Sequence, residues 1–154
     1  RGSMLTSADG TPTNAVYGFL NIVLKQIEDV KPDYLCVAFD LRAPTFRHTA
    51  YSEYKANRKG MPDDLAVQMP LLKDVLAAMN VAMYTKEGYE ADDIIGTISA
   101  IASSKGMECY IVTGDRDSFQ LINDKTCVYL LNNNSVYYLG NFFYVLMRKG
   151  ERLL

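Results

Sequence analysis

Histidine is nearly absent from this 154-residue chain, cysteine is sparse, and neither sign of charge dominates. The three cysteines, Cys36, Cys109 and Cys127, are an odd number, lie far apart and form no C-x-x-C pair. Each sits in an apolar run, so they read as buried, reduced thiols of a cytosolic protein and not as a disulfide framework. A formal net charge of −2 removes any overall basic footprint. A nucleic-acid partner would therefore need a local basic patch. No apolar stretch approaches the roughly 18 residues of a membrane span, no signal peptide is visible, and no membrane partner is expected. Internal repeats and low-complexity tracts are also missing. With 49% hydrophobic and 22% charged residues, what remains is one globular domain with a real core. The opening RGSM reads as a vector remnant over residues 1–3, with the natural chain starting at Met4.

Within that domain, helix and strand patterns alternate. Val16, Phe19, Leu20, Val23, Leu24 and Ile27 follow the three-and-four spacing of one helix face across residues 13–29. DYLCVAF, 33–39, predicts a buried strand. A second helix is expected over 65–79, a short strand at VAMYT, and a third helix from Glu90 to before Gly106. ECYIVTG and TCVYLL read as strands on either side of a helical turn or two at DSFQLI. This alternation predicts an α/β fold, a mostly parallel sheet flanked by helices on both faces. Residues 4–131 hold the pattern, and 132–154 are an unassigned tail.

The acidic residues gain order once the strands are placed. Asp40 follows one strand, Glu90, Asp92 and Asp93 follow another, and Asp115 and Asp117 of TGDRD follow a third. In an open parallel sheet the carboxyl ends of the strands share one edge, where ligands bind. Each cluster alone is compatible with helix-start punctuation, because a helix dipole favours an anion by only ~0.3–1 kcal/mol. Together these acids would repel more than such terms offset. A divalent cation does offset it, and all-oxygen ligation without histidine or thiolate suits Mg²⁺ or Mn²⁺. Two clusters fit a two-ion site for phosphodiester cleavage.

Residues 41–64 supply the opposite charge. Arg42, Arg47, Lys55, Arg58 and Lys59 interleave with Phe46, Tyr51 and Tyr54, pairing phosphate-binding cations with rings on which bases stack. A solvated basic loop has the same composition, but this one directly follows Asp40 and so rises from the acidic edge. His48, the single histidine, reads as a surface or phosphate contact.

Several segments in order, DGTPTNAVYGFLN, AFDLRAPTFRH, YSEYKANRKGMPDDLAVQMPLL, EGYEADDIIGT and IVTGDRDSFQL, resemble the flap endonuclease and 5′-3′ exonuclease family, in the form of the 5′-nuclease domain of bacterial DNA polymerase I. The resemblance is nearly continuous from about residue 5 to 125. It implies a PIN-like 5′-nuclease fold and a metal-dependent nuclease that hydrolyses 5′ ends and 5′ flaps of branched, nicked or gapped DNA in primer removal and repair. It further implies a polymerase domain in the parent protein and a cytoplasmic, nucleoid-associated location. By the same resemblance Asp40, Glu90, Asp92, Asp93, Asp115 and Asp117 are metal ligands for two Mg²⁺ or Mn²⁺ ions, and Lys55, Asp92 and Asp93 are catalytic. Arg42, Arg47, Tyr54, Lys55, Arg58 and Lys59 contact DNA, with 41–64 as the family's arch. The alternative is a binding remnant of such a domain that no longer cleaves.

The family's apolar first strand and its C-terminal helix-hairpin-helix have no counterpart here. NFFYVLM, 141–147, has the continuous apolar character of a doubly buried strand. Two arrangements are open: the segment fills the first-strand position, within the chain or by exchange with a second copy, or the tail is frayed and the edge is covered by dimerisation or a helix. If it ran parallel to its neighbours, Arg148 and Lys149 would reach the acidic edge and weaken metal binding.

Overall fold

The computed structural model describes residues 5–41, 43–51, 53–54, 60–131 and 142–149. Helix α1, Asn14–Val30, buries Val16, Phe19 and Val23 of the face expected from the apolar spacing, and Val30 beyond it, whereas Leu24, expected on that face, is exposed. It stops at Lys31, whose left-handed backbone (φ 49°) turns its N–H back to the Ile27 carbonyl, just ahead of Pro32. Strand β1, Tyr34–Phe39, follows and is fully buried from Cys36 onward.

Two short helices, α2 (Phe46–Ala50) and α3 (Asp63–Ala66), lie in the basic excursion. Helix α4, Gln68–Ala78, buries Leu72 and Leu76, and β2, Ala82–Tyr84, follows a left-handed turn at Asn80. Gln68 is buried and ties α1 to α4. Its Oε1 accepts from the N–H groups of Ala15 (2.8 Å) and Val16 (3.3 Å), and its Nε2 donates to the Asp64 carbonyl (2.7 Å). Those are donors of the first turn of α1 that the helix itself cannot satisfy. Helix α5, Ala91–Ser104, leads to β3, Met107–Thr113, then a 3₁₀ helix, Arg116–Leu121, and β4, Thr126–Leu130.

The strand β5, Phe142–Lys149, lies at the centre of the five-stranded sheet, whose order is β2-β1-β5-β3-β4. The pairs β1–β2 and β3–β4 are parallel, and β5 runs antiparallel to both β1 and β3. The strands β1 to β4 therefore share one direction, and the mostly parallel sheet with helices on both faces is the observed fold. Tyr144, Val145 and Leu146 are buried between the two layers, as a central strand requires. Side-chain alternation sorts the core. Val37, Phe39, Val112, Tyr144 and Leu146 pack toward α1 and α4, whereas Cys36, Ala38, Ile111 and Val145 pack with Ala91 and Ile95 of α5. The Tyr144 ring meets Phe19 edge to face at 5.8 Å.

The parallel orientation considered for the tail is overturned. Met107 pairs with Lys149, Glu108 with Arg148 and Phe39 with Phe142, so the amino end of β5 meets the acidic edge. Arg148 and Lys149 lie at the far edge, where Arg148 pairs with Glu108 and the Lys149 N–H donates to Asp33 (2.7 Å). The rest of the tail, 132–141 and 150–154, lies outside the described residues, as do residues 1–4.

The cysteines also divide. Cys36 and Cys109 are buried, and burial pushes the Cys36 thiol up to about 11. Cys127 is exposed, because β4 is an edge strand and its side chain points away from the core. No helix among the described residues is long and apolar enough to cross a membrane.

Candidate active site

Because β1 to β4 run one way, the turns after β1, β2 and β3 rise from one edge. Asp40 follows β1, and its Oδ1 accepts the Ala91 N–H at 2.6 Å, so it touches an open donor at the start of α5. Glu90 is the residue that caps α5 and is buried. Its Oε2 accepts from the Tyr54 hydroxyl at 3.1 Å. Asp93 folds back to accept the Glu90 N–H at 2.9 Å, and Asp92 accepts the Asp93 N–H at 2.8 Å. Part of the acidic EADD cluster thus punctuates the helix start, as its position in a first turn allows.

The rest of its charge meets a cation of the chain itself. Arg47, on α2, donates from Nη1 and Nη2 to the two oxygens of Asp93 at 2.7 Å each, and Nη1 lies 3.6 Å from Glu90 Oε2. The hydrogen bonds to Asp93 hold the guanidinium's proton more tightly than usual, with Asp92 and Glu90 adding to the effect. Asp92 goes the other way. Burial first, then the charges of Asp93 and Glu90, raise its carboxyl above the ordinary value against the opposing pull of Arg47. After β3, Asp115 Oδ1 accepts the Asp117 N–H at 2.9 Å and starts the 3₁₀ helix.

A cleft of about 500 Å³ gathers Arg47, Asp92, Asp93, Asp115, Asp117 and Ser118. Asp40 and Glu90 are held at the start of α5 by the bonds above. Among the described residues, no three carboxylate, imidazole or thiol side chains converge on one ion-sized point. The donor chemistry nonetheless fits a hard divalent cation: all oxygen, clustered, with Asp92 short of compensating charge. Arg42, Lys55, Arg58 and Lys59 lie outside the described residues. His48 Nδ1 accepts the Thr45 N–H at 3.2 Å, which makes it a cap of α2.

Residues 2–143 match the family model described as 5′-3′ exonuclease, N-terminal resolvase-like domain. The chain belongs to this 5′-3′ exonuclease family. Among its relatives are DNA polymerase I of Caldicellulosiruptor bescii, 47% identical over 128 residues, and DNA polymerase I of Bacillus subtilis, 46% identical over 125. These alignments cover 83% and 81% of this chain but only 15% and 14% of the polymerases. Among solved structures, bacteriophage T5 5′-exonuclease with bound zinc superposes with a TM-score of 0.64 at 20% identity, over 85% of this chain and 52% of that one. The T5 flap endonuclease in a pseudo-enzyme–product complex with DNA and metal ions gives 0.62 at 20% identity, over 80% and 49%. At that identity the likeness concerns the fold.

A second group beside this cleft is not among the residues singled out from the sequence: Tyr84, Lys86 and Tyr89, in YTKEGYE at the end of β2 and the turn after it. Its signal was the same interleaving of rings and cations that marked residues 41–64.

Proposed function

We propose that this chain is the core of a divalent-metal-dependent 5′ nuclease that hydrolyses phosphodiester bonds at 5′ ends and 5′ flaps of branched, nicked or gapped DNA. The observation that carries the reading is the cleft that Asp92, Asp93, Asp115 and Asp117 line together with Arg47. Asp92 and Asp93 would hold one Mg²⁺ or Mn²⁺ ion with Asp40 and Glu90 behind them, and Asp115 and Asp117 a second. Such ions, when bound, activate water near neutral pH and offset phosphate charge. Lys55 is assigned to the reacting phosphate, with Arg42, Arg47, Arg58 and Lys59 along the strand and Tyr54 against a base. The relatives' names support a DNA polymerase I as the parent protein; work in primer removal and repair, in the cytoplasm near the nucleoid, is part of the same proposal.

A second reading, a DNA- or metal-binding fragment without turnover, is favoured by the Arg47 fork, which takes up the carboxylate of Asp93. A labelled 5′-flap duplex incubated with Mg²⁺, Mn²⁺ or EDTA separates the two. Metal-dependent release of a 5′ fragment supports cleavage, and binding without release supports the fragment.

A further inference from the structure

A second cleft, of about 560 Å³, lies beside the carboxylate cleft and is walled by Tyr84, Tyr89, Ile94 and Ile98, with Lys86 among its residues. Asp93 and Thr97 line both clefts. On a helix, positions 94 and 98 fall to one side of the 93–97 row and positions 96 and 100 to the other. The clefts therefore flank one ridge of α5, close enough for neighbouring parts of one nucleotide to enter each.

The walls of the second cleft suit a flat, aromatic occupant. Tyr84 and Tyr89 are each 48% exposed, so their π faces remain available. Phe46 lies 5.7 Å from Tyr89, and the Arg47 guanidinium stands 4.6 Å over the Phe46 ring, which makes a continuous run of rings and cation from the carboxylates to the cleft. The Phe46 N–H donates to the Gly88 carbonyl at 3.0 Å and fixes this run to the loop that carries Tyr89. The carboxylate of Asp93, on the shared ridge, is neutralised by the Arg47 fork and so presents little repulsion to a nearby phosphate. Lys86 adds a cation where a flanking phosphate would pass.

We propose that this cleft is a stacking subsite for one unpaired nucleobase of a strand whose backbone crosses the carboxylate cleft. The inference rests on the nuclease reading above and adds to it the place where a single-stranded base is held. Continuity with the carboxylate cleft and the cation beside the rings favour a nucleotide over an apolar peptide. Stacking is tolerant of base identity, because every base has a π face.

The test uses the whole chain in EDTA and short single strands carrying 2-aminopurine, whose fluorescence is quenched on stacking. Binding should quench the probe at one position. Tyr84→Ala and Tyr89→Ala should each abolish that quench and weaken binding by about 10-fold, whereas Tyr84→Phe and Tyr89→Phe retain both. Both tyrosines are exposed, and circular dichroism checks that the variants fold. A strand with 5-iodouracil at the quenched position should cross-link to Tyr84 or Tyr89. Cross-links confined to other segments, equal affinity for a strand made abasic at that position, or an unchanged quench in the double alanine variant would each overturn the subsite and leave the nuclease reading standing. If the folded chain binds no nucleic acid at all, both are overturned.

Discussion

Arg47 and Asp93 meet through two parallel hydrogen bonds of 2.7 Å each, a guanidinium and a carboxylate in register across the gap between α2 and α5. Their side chains are 28% and 22% exposed, so solvent screens the pair only in part. The guanidinium stands where the proposed function places a divalent ion. Without metal, Arg47→Ala removes this guanidinium from Asp93 and Glu90, and urea unfolding in EDTA should show a loss of about 1–2 kcal/mol. Mn²⁺ should then raise the melting temperature of Arg47→Ala more than that of the parent chain, because the ion no longer competes with the fork. An equal rise in both would mean that the guanidinium and the ion occupy separate places.

Adjacent aspartates should respond oppositely to neutralisation. Burial and the nearby Asp93 and Glu90 raise the Asp92 carboxyl. A carboxyl whose folded pKa exceeds its unfolded value binds its proton more tightly in the folded state. It therefore subtracts stability as pH rises through the folded pKa and returns it as pH falls. Asp92→Asn should raise the unfolding midpoint at pH 7, and the gain should vanish below the unfolded value of about 3.9. Asp93→Asn removes charge from the Arg47 fork and should lower the unfolding free energy by about 1–2 kcal/mol, and the midpoint with it. Urea titrations of both variants at pH 7 and pH 4 decide the matter, and shifts of the same sign at pH 7 would refute it. In the proposed function both variants lose metal-dependent cleavage.

Tyr144 offers a test of the core that is independent of the site. Its hydroxyl is buried and has no hydrogen-bond partner among the described residues, while its ring packs on Phe19. Burial alone raises the phenol's pKa. Tyr144→Phe removes that oxygen and keeps the ring, so it should be neutral or stabilising by up to about 1 kcal/mol. Tyr144→Ala should cost ~3–5 kcal/mol through the cavity it leaves. A Phe variant destabilised by more than 1 kcal/mol in urea unfolding, a threshold set by the worth of a typical net hydrogen bond, would show that the hydroxyl has a partner.

Much of this arrangement can be read from local pattern. The α1 face from Val16 to Val23 follows helical spacing, and Asp40, Glu90 and Asp115 reach one edge because parallel strands end on one side. Direction was not legible for β5. A continuous apolar run buries equally well whichever way it points, so FFYVLM carries no polarity of its own. The Arg47 fork was not legible either. A cation 46 positions from its carboxylate looks the same in sequence whether it waits for phosphate or pairs within the chain. His48 likewise reads as a surface group until its Nδ1 is seen at the start of α2.

The polarity of β5 supplies the last prediction. Arg148 and Lys149 stand at the edge opposite the carboxylates, and Arg148 is already paired with Glu108. Hydrogen bonds from Arg148 and Tyr110 hold the Glu108 carboxyl below its ordinary range, but that pair is exposed and contributes little to folding. Arg148→Gln and Lys149→Gln should therefore leave Mn²⁺ affinity unchanged within about 2-fold, since exposed charges further apart than a Debye length of ~10 Å are largely screened. The backbone of the same strand should matter greatly. Burying Tyr144, Val145 and Leu146 is worth ~1.5–3 kcal/mol for each side chain, and β5 pairs with both of its neighbours. Ending the chain at residue 141 would open two interior edges, so that variant should unfold or aggregate. Amide exchange in the intact chain should show strong protection over 143–147. Rapid exchange there, or a tenfold rise in Mn²⁺ affinity on neutralising Arg148 and Lys149, would mean that β5 does not sit between β1 and β3 in this direction.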